Sequence, residues 1–146
     1  MNNINITLPD NSVKTFPEGV TAQEVADSIG SGLARAVVVA KIDGNLKDLN
    51  YKIFKDSSLE LFTGDTPEGH DTLLHSTAHL MAQAVKVLYP NAKFTIGPTI
   101  ENGFYYDFDL DDSFSEDSLV LIENKMKELS KKNQEIVRCE VSTSEA

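Results

Sequence analysis

A chain of 146 residues, 40% hydrophobic and 25% charged, has room for one ordinary domain or two small ones. Its net charge of −10 argues against a broad electrostatic grip on nucleic acid, and its one cysteine, Cys139, excludes an internal disulfide framework and suits a reducing cytosol. No apolar run reaches the length of a membrane span and no basic-then-apolar segment opens the chain, so a cytoplasmic protein with no membrane partner is expected.

Residues 4–8 alternate Ile4, Ile6 and Leu8 with polar neighbours, the period of a half-buried strand. Pro9-Asp10-Asn11 turns the chain, and residues 13–16 return as the second arm of a hairpin. Thr21 and Glu24 stand in capping-box spacing before a helix with Ala22, Val25, Ala26 and Ile29 on one face, ending at Gly30. Residues 36–42 form a continuous apolar run with three valines, a central strand, followed by Asp43-Gly44 as a tight turn. Short apolar pieces and a strand over residues 59–62 complete a small α+β roll of the β-grasp, ubiquitin-like kind, with no chemistry visible in it. This places a first domain at residues 1–63 and a polar, turn-rich linker at residues 64–71, with His70 solvated at its end.

The remaining residues, 72–146, open with a helix capped by Asp71 or Thr72 that carries His75 and His79. Positions four apart stack on one helix face, so the two rings share a neighbourhood beside an apolar stripe of Leu73, Thr77, Leu80, Met81, Ala84, Val87 and Leu88. Two readings stand side by side: partly buried histidines bonded to backbone, or half of a site acting on a ligand, metal or water. A zinc site needs three or four protein ligands, and Cys139 lies outside any metal-binding spacing. Tyr89-Pro90-Asn91 stops the helix, residues 93–96 form a short strand, and Gly97-Pro98 breaks it. From Phe104 on the sequence alternates, with Phe104, Tyr106 and Phe108 on one face and Tyr105, Asp107 and Asp109 on the other. Phe104 and Phe108 read as core; a buried Tyr106 phenol needs a polar partner. Ser115 caps a long helix with Leu119, Ile122, Met126 and Leu129 at helical spacing and a solvated lysine-rich C-terminal half. Residues 135–141 read as one more strand, and Ser142 or Thr143 with Glu145 behind it as the start of another helix.

Leu8-Pro9-Asp10, the capped helix running into Ile29-Gly30-Ser31-Gly32-Leu33-Ala34, and the residue 39–43 strand with Gly44 resemble a TGS domain. His75-Ser76-Thr77-Ala78-His79, followed by the run from Ile96-Gly97-Pro98 through Asn102-Gly103-Phe104-Tyr105-Tyr106-Asp107, resembles the N-terminal editing domain of bacterial threonyl-tRNA synthetases. The resemblance covers the whole chain but only about the first quarter of such an enzyme. It implies an α+β architecture of a TGS domain followed by a truncated editing domain. It further implies that threonine and its tRNA are joined with ATP in a later class II domain. ATP, magnesium and zinc belong to that domain, as does the homodimer contact. Binding of the threonine-specific tRNA by the present chain alone is expected to be weak or absent.

Editing in that family hydrolyses mischarged seryl-tRNA. The resemblance makes His75 and His79 the first half of a His-x3-His plus Cys-x3-His constellation whose second half is not in this sequence. His75 would bind the terminal ribose or position the attacking water, His79 would support it, and Tyr106 would hydrogen-bond near the ester. Gly97, Pro98, Asn102 and Gly103 would shape and line the substrate pocket. No metal is expected at this half-site, no cofactor in this chain, and neither reaction from the chain alone. Two other readings use the same residues: a stand-alone TGS-type RNA-binding or regulatory module, and a free-standing aminoacyl-tRNA deacylase. A reading frame that stops after Ala146 would favour the first of these. One that continues into Cys-x3-His and class II motifs would favour the synthetase.

Overall fold

The computed structural model describes residues 2–110, 114–134, 136 and 138–145. They form two compact units, Met1–Ser76 and Thr77–Ala146. Among the described residues no helix is long and apolar enough to cross a membrane.

In the first unit β1 (Asn3–Thr7) buries Ile4 and Ile6 and pairs antiparallel with β2 (Val13–Pro17). The turn between them places Asn11 at φ +64°, and the Asp10 carboxylate accepts from the Ser12 N–H and hydroxyl, which holds its carboxyl below the usual range. After β3 (Val20–Thr21) comes α1 (Ala22–Ile29), started by the expected capping box. There the Glu24 N–H donates to Thr21 Oγ1 at 3.2 Å, and the Thr21 N–H donates to Glu24 Oε2 at 2.8 Å. Ala22, Val25 and Ala26 are buried beneath it, while Ile29 at its end is exposed.

Residues 31–36 differ from expectation. They form a short helix α2 (Ser31–Ala36), tied to α1 by Gln23 Nε2 donating to the Ala34 carbonyl, so β4 (Val37–Ile42) starts one residue late. Asp43 (φ +49°) and Gly44 (φ +84°) both adopt left-handed backbone, the requirement of the two-residue turn that leads into β5 (Asn45–Lys47). β6 (Lys52–Ile53) pairs with β3, and β7 (Ser57–Thr63) completes a five-stranded sheet in the order β2-β1-β7-β4-β5. β1 and β7 run parallel and the other pairs antiparallel. With α1 packed on a core of Ile4, Ile6, Val25, Ala40, Ile42 and Leu59, this is the expected β-grasp roll.

The linker assigned to residues 64–71 is corrected. Helix α3 (Pro67–Leu88) begins inside it, leaving only residues 64–66 between β7 and α3. Thr66 Oγ1 accepts from the Gly69 N–H at 3.1 Å, Pro67 takes the first helical position, where its missing N–H costs nothing, and Glu68 sits near the positive end of the dipole. Thr-Pro-Glu is therefore a helix start here. Thr72, expected to cap, lies within the helix and donates its hydroxyl to the Glu68 carbonyl at 2.8 Å. Gly69 is buried against the end of β7, and a Cβ there would overlap the Thr63 carbonyl.

In the second unit the apolar face of α3 is Met81, Ala84, Val85 and Leu88, packed with Ile122, Met126 and Leu129 of α4 (Glu116–Lys131). Val87, assigned to that stripe, is exposed, and Val85, left out of it, is fully buried. The spacing 81-84-85-88 keeps to one side of a 3.6-residue helix, and 87 does not. Leu119, expected on the buried face of α4, is 60% exposed. Ser115 caps α4 as expected, accepting from the Ser118 N–H. Of the strand expected at residues 135–141, Glu135 and Val137 lie outside the described residues. Ile136 and residues 138–141 are neither strand nor helix, because a run becomes a strand only by ladder pairing, and residues 138–141 belong to none of the sheets among the described residues. Further on, the Ser142 N–H donates to Glu145 Oε2 across a turn rather than opening a helix.

Two outcomes follow for stability. Gly69→Ala raises helix propensity by about 1 kcal/mol, yet its overlap with the Thr63 carbonyl makes the variant melt below the wild type in a thermal scan. Asp43 accepts from the Ser58 N–H at 2.9 Å and from the Ser58 hydroxyl at 3.3 Å, and the backbone bond above all lowers its carboxyl below the ordinary value of about 3.9. Its stabilisation is present above that value and is lost as pH falls through the lower folded-state value. The stability gap between wild type and Asp43→Asn, measured by urea unfolding, therefore closes in that acid window.

Candidate functional site

The second unit carries an antiparallel ribbon built from β8 (Lys93–Phe94), β9 (Thr99–Ile100), β10 (Gly103–Phe104) and β11 (Phe108–Asp109). Phe108 faces Phe94 and Asp109 faces Lys93 at its base; Gly103 faces Ile100 and Phe104 faces Thr99 at its tip. Between them the Asp107 N–H donates to the Ile96 carbonyl at 2.8 Å and the Tyr105 N–H to the Pro98 carbonyl at 3.3 Å. The continuous strand expected over residues 104–109 is thus divided. Pro98 supplies no N–H, so the ladder is interrupted opposite Tyr105 and Tyr106.

The interruption is occupied by the Tyr106 ring. It lies so close on Gly97 that a Cβ at residue 97 would overlap three of its ring carbons. The ring stacks on Phe108 with centroids 4.9 Å apart and planes 10° apart, as same-face neighbours two positions apart can. Phe94 meets both rings edge-on, at 6.0 Å and 5.2 Å. Lys86, at the end of α3, donates to the Pro90 and Ala92 carbonyls and places its ammonium 5.7 Å from the Phe94 centroid. Tyr106 is half-buried in this cluster, with its alternation partners Tyr105 and Asp107 exposed.

The other sequence-assigned residues are placed as follows. Pro98 is half-buried beside Gly97, and Asn102 is exposed in the tip turn. Gly103 is half-buried, and a Cβ on it would meet Ile100 at an ordinary 4.0 Å, so no steric demand for glycine exists there among the described residues. His75 and His79 lie four apart on α3, both exposed, on either side of the buried Ala78. They fall on opposite sides of the division between the two units. Among the described residues no three of His, Cys, Asp and Glu are grouped to hold a metal ion. A zinc site needs three or four protein ligands, of which His75 and His79 would supply two. Cys139 is exposed, as a surface thiol.

Replacing Gly97 by Ala forces the Tyr106 ring off the ribbon. Loss of about 1–3 kcal/mol of stability is expected, with Tyr106 and Phe108 ring resonances displaced in an NMR spectrum. Unchanged ring shifts would mean the close approach is absent in solution.

Comparison with known proteins adds lineage to this geometry. Residues 4–63 match the TGS domain family. The chain is 51% identical over 146 residues to the threonine–tRNA ligase of Citrifermentans bemidjiense, covering all of this chain and 23% of that protein. It is 53% identical over 135 residues to that of Cupriavidus pinatubonensis, covering 92% of this chain and 21% of the relative. With the enzyme of Geobacillus sp. it shares 49% identity over 143 residues, 98% of this chain and 22% of the relative. The chain thus spans less than a quarter of the length of these relatives. With a TGS domain at residues 4–63 and this similarity along its length, the chain belongs to the threonine–tRNA ligase family and represents its N-terminal region.

Proposed function

We propose that the chain is the TGS and editing region of an enzyme that joins threonine to its tRNA with ATP, and that residues 72–146 contribute half of a site hydrolysing mischarged seryl-tRNA. Serine differs from threonine by one methyl, worth only about 1–3 kcal/mol of discrimination in a pocket, so a second, hydrolytic sieve is the chemical remedy. The observation that carries the reading is the Tyr106 ring set on bare Gly97 backbone within a run that matches threonine–tRNA ligases. A phenol fixed by stacking keeps its hydroxyl in one place, which a hydrogen bond to an ester requires. His75 and His79 share one side of α3, the spacing for one imidazole to position a water and the other to support it. Water attacks the ester carbonyl, the ester C–O bond breaks, and serine and tRNA leave, the proton passing to the tRNA hydroxyl. No step needs zinc.

The site is incomplete within this chain. The 146-residue protein is accordingly expected to bind no stoichiometric zinc when purified without added metal, and to leave seryl-tRNA intact. Hydrolysis by the chain alone that His75→Ala abolishes would reverse the second expectation; one zinc per chain would reverse the first. In a threonine–tRNA ligase containing this region, His75→Ala is expected to slow seryl-tRNA hydrolysis by about 100-fold or more while threonine attachment proceeds at the wild-type rate. Tyr106→Phe, which keeps the stacking and removes the hydroxyl, separates the chemical role from packing. Unaltered editing in both variants would remove the assignment.

A further inference from the structure

We propose that the free edge of β5, with the lysine-lined cleft beside it, binds an extended acidic segment of a partner protein, which adds a strand to the sheet and sets its carboxylates against Lys47, Lys52 and Lys55. This goes beyond the editing reading and uses none of its residues.

β5 ends the five-stranded sheet, and no strand lies on its far side among the described residues. The Asp43-Gly44 turn closes on Ile42 and Asn45, and Leu46 stands opposite Lys41. A two-residue turn makes its closing pair a hydrogen-bonded one, so the next pair is not, and the Leu46 N–H and C=O face away from β4. An outward donor and acceptor on one residue are what an incoming strand takes up. Lysine on such an edge repels a second basic edge, which disfavours another copy of β5 and favours a segment bearing carboxylates.

Asn45 and Lys47 border a cleft of about 340 Å³, lined also by Lys52, Lys55 and the exposed rings of Tyr51 and Phe54. The Lys47 ammonium lies 5.0 Å from the Tyr51 centroid. The chain's net charge is −10, yet residues 41–55 hold four lysines against two aspartates, a local excess of two positive charges. A Debye length of about 8–10 Å makes this local balance what a short acidic segment experiences. The one carboxylate lining the cleft, Asp43, is already engaged by the Ser58 N–H and hydroxyl. Leu46, on the other face of β5, is 51% exposed. Strand side chains alternate between faces, so the segment that fits reads acid, aliphatic, acid. Its glutamates lie over the cleft, their methylene stems against the two rings, and its aliphatic residue lies beside Leu46. A nucleic acid has no peptide edge to complete the ladder, and its run of phosphates extends past the cleft onto a chain of total charge −10.

The test is fluorescence polarisation of the whole chain with a labelled peptide, Glu-Leu-Glu-Val-Glu flanked by Gly-Ser, for which saturable binding is expected. Lys52→Glu with Lys55→Glu should weaken binding at least about 10-fold. Lys131→Glu with Lys132→Glu on α4 makes the same charge change elsewhere and should leave binding within about 2-fold of the wild type. Alternate peptide N–H groups face the sheet, and a Leu side chain beside Leu46 puts the Leu and Val amides on that side. N-methylation of those two amides should weaken binding at least about 5-fold, and N-methylation of the Glu amides should leave it within about 2-fold. Circular dichroism verifies each fold, and Lys52→Gln with Lys55→Gln replaces the reversal pair if that pair unfolds. The proposal is overturned by no binding up to about 1 mM, by equal losses from the two reversal pairs, or by equal affinity of the two methylated peptides. It is overturned as well by polyglutamate of the same length binding as tightly, or by an unpaired RNA of equal charge binding more tightly, which would make the cleft a nucleic-acid site. Any of these leaves the editing reading standing.

Discussion

The second unit depends on the contact between a phenol ring and a residue without a side chain. Gly97 lets the Tyr106 ring lie on backbone, and Pro98 removes the donor that would otherwise close the ladder there. The ring is held by Phe108 along its face and Phe94 at its edge, and Phe94 is itself covered by the Lys86 ammonium from the end of α3. From Phe108 the edge-on contacts continue to Phe114 and Tyr89. Each such contact is worth only about 0.5–1.5 kcal/mol beyond area burial, but together they fix one rotamer of Tyr106. A site that must present a hydroxyl to an ester gains its precision from this kind of support rather than from the hydroxyl itself.

A second close approach governs the first unit. Gly69 lets the opening turn of α3 press on the last residue of β7, so only three residues separate the helix from the sheet. One of the helix's orphan N–H groups, that of Gly69, is met by the Thr66 hydroxyl, which itself donates to the Thr63 carbonyl at 2.7 Å. The sheet needs no such device, because its pairs bury Ile4, Ile6, Ala40 and Leu59 against α1 on one continuous face.

Charge works on two scales in this molecule. The total of −10 speaks against nucleic-acid binding over the surface as a whole. The folding of β5, β6 and the return to β7 nevertheless gathers Lys47, Lys52 and Lys55 around one cleft. Composition averages over the chain, whereas a ligand samples only what lies within about a Debye length. The lysines and rings of residues 47–55 are plain in the sequence. Their convergence is not, because they are spread over two short strands and a turn whose relative placement is set by pairing with β3 and β4.

Features whose partners lie within a few residues were legible in the amino-acid order: the Thr21–Glu24 capping box, the Asp43-Gly44 turn, the Ser115 cap, the alternation of Phe104, Tyr106 and Phe108, and the four-residue spacing of His75 and His79. Gly97 and Tyr106 were both recognisable as special, but separately. Tertiary structure alone decided that one lies under the other, that Val85 and not Val87 enters the core, that α3 claims residues 67–71, and that residues 138–141 belong to none of the sheets among the described residues. The reason is range: a cap or a tight turn is satisfied by neighbours along the chain, whereas burial, ring contact and strand pairing require a surface brought from elsewhere in the fold.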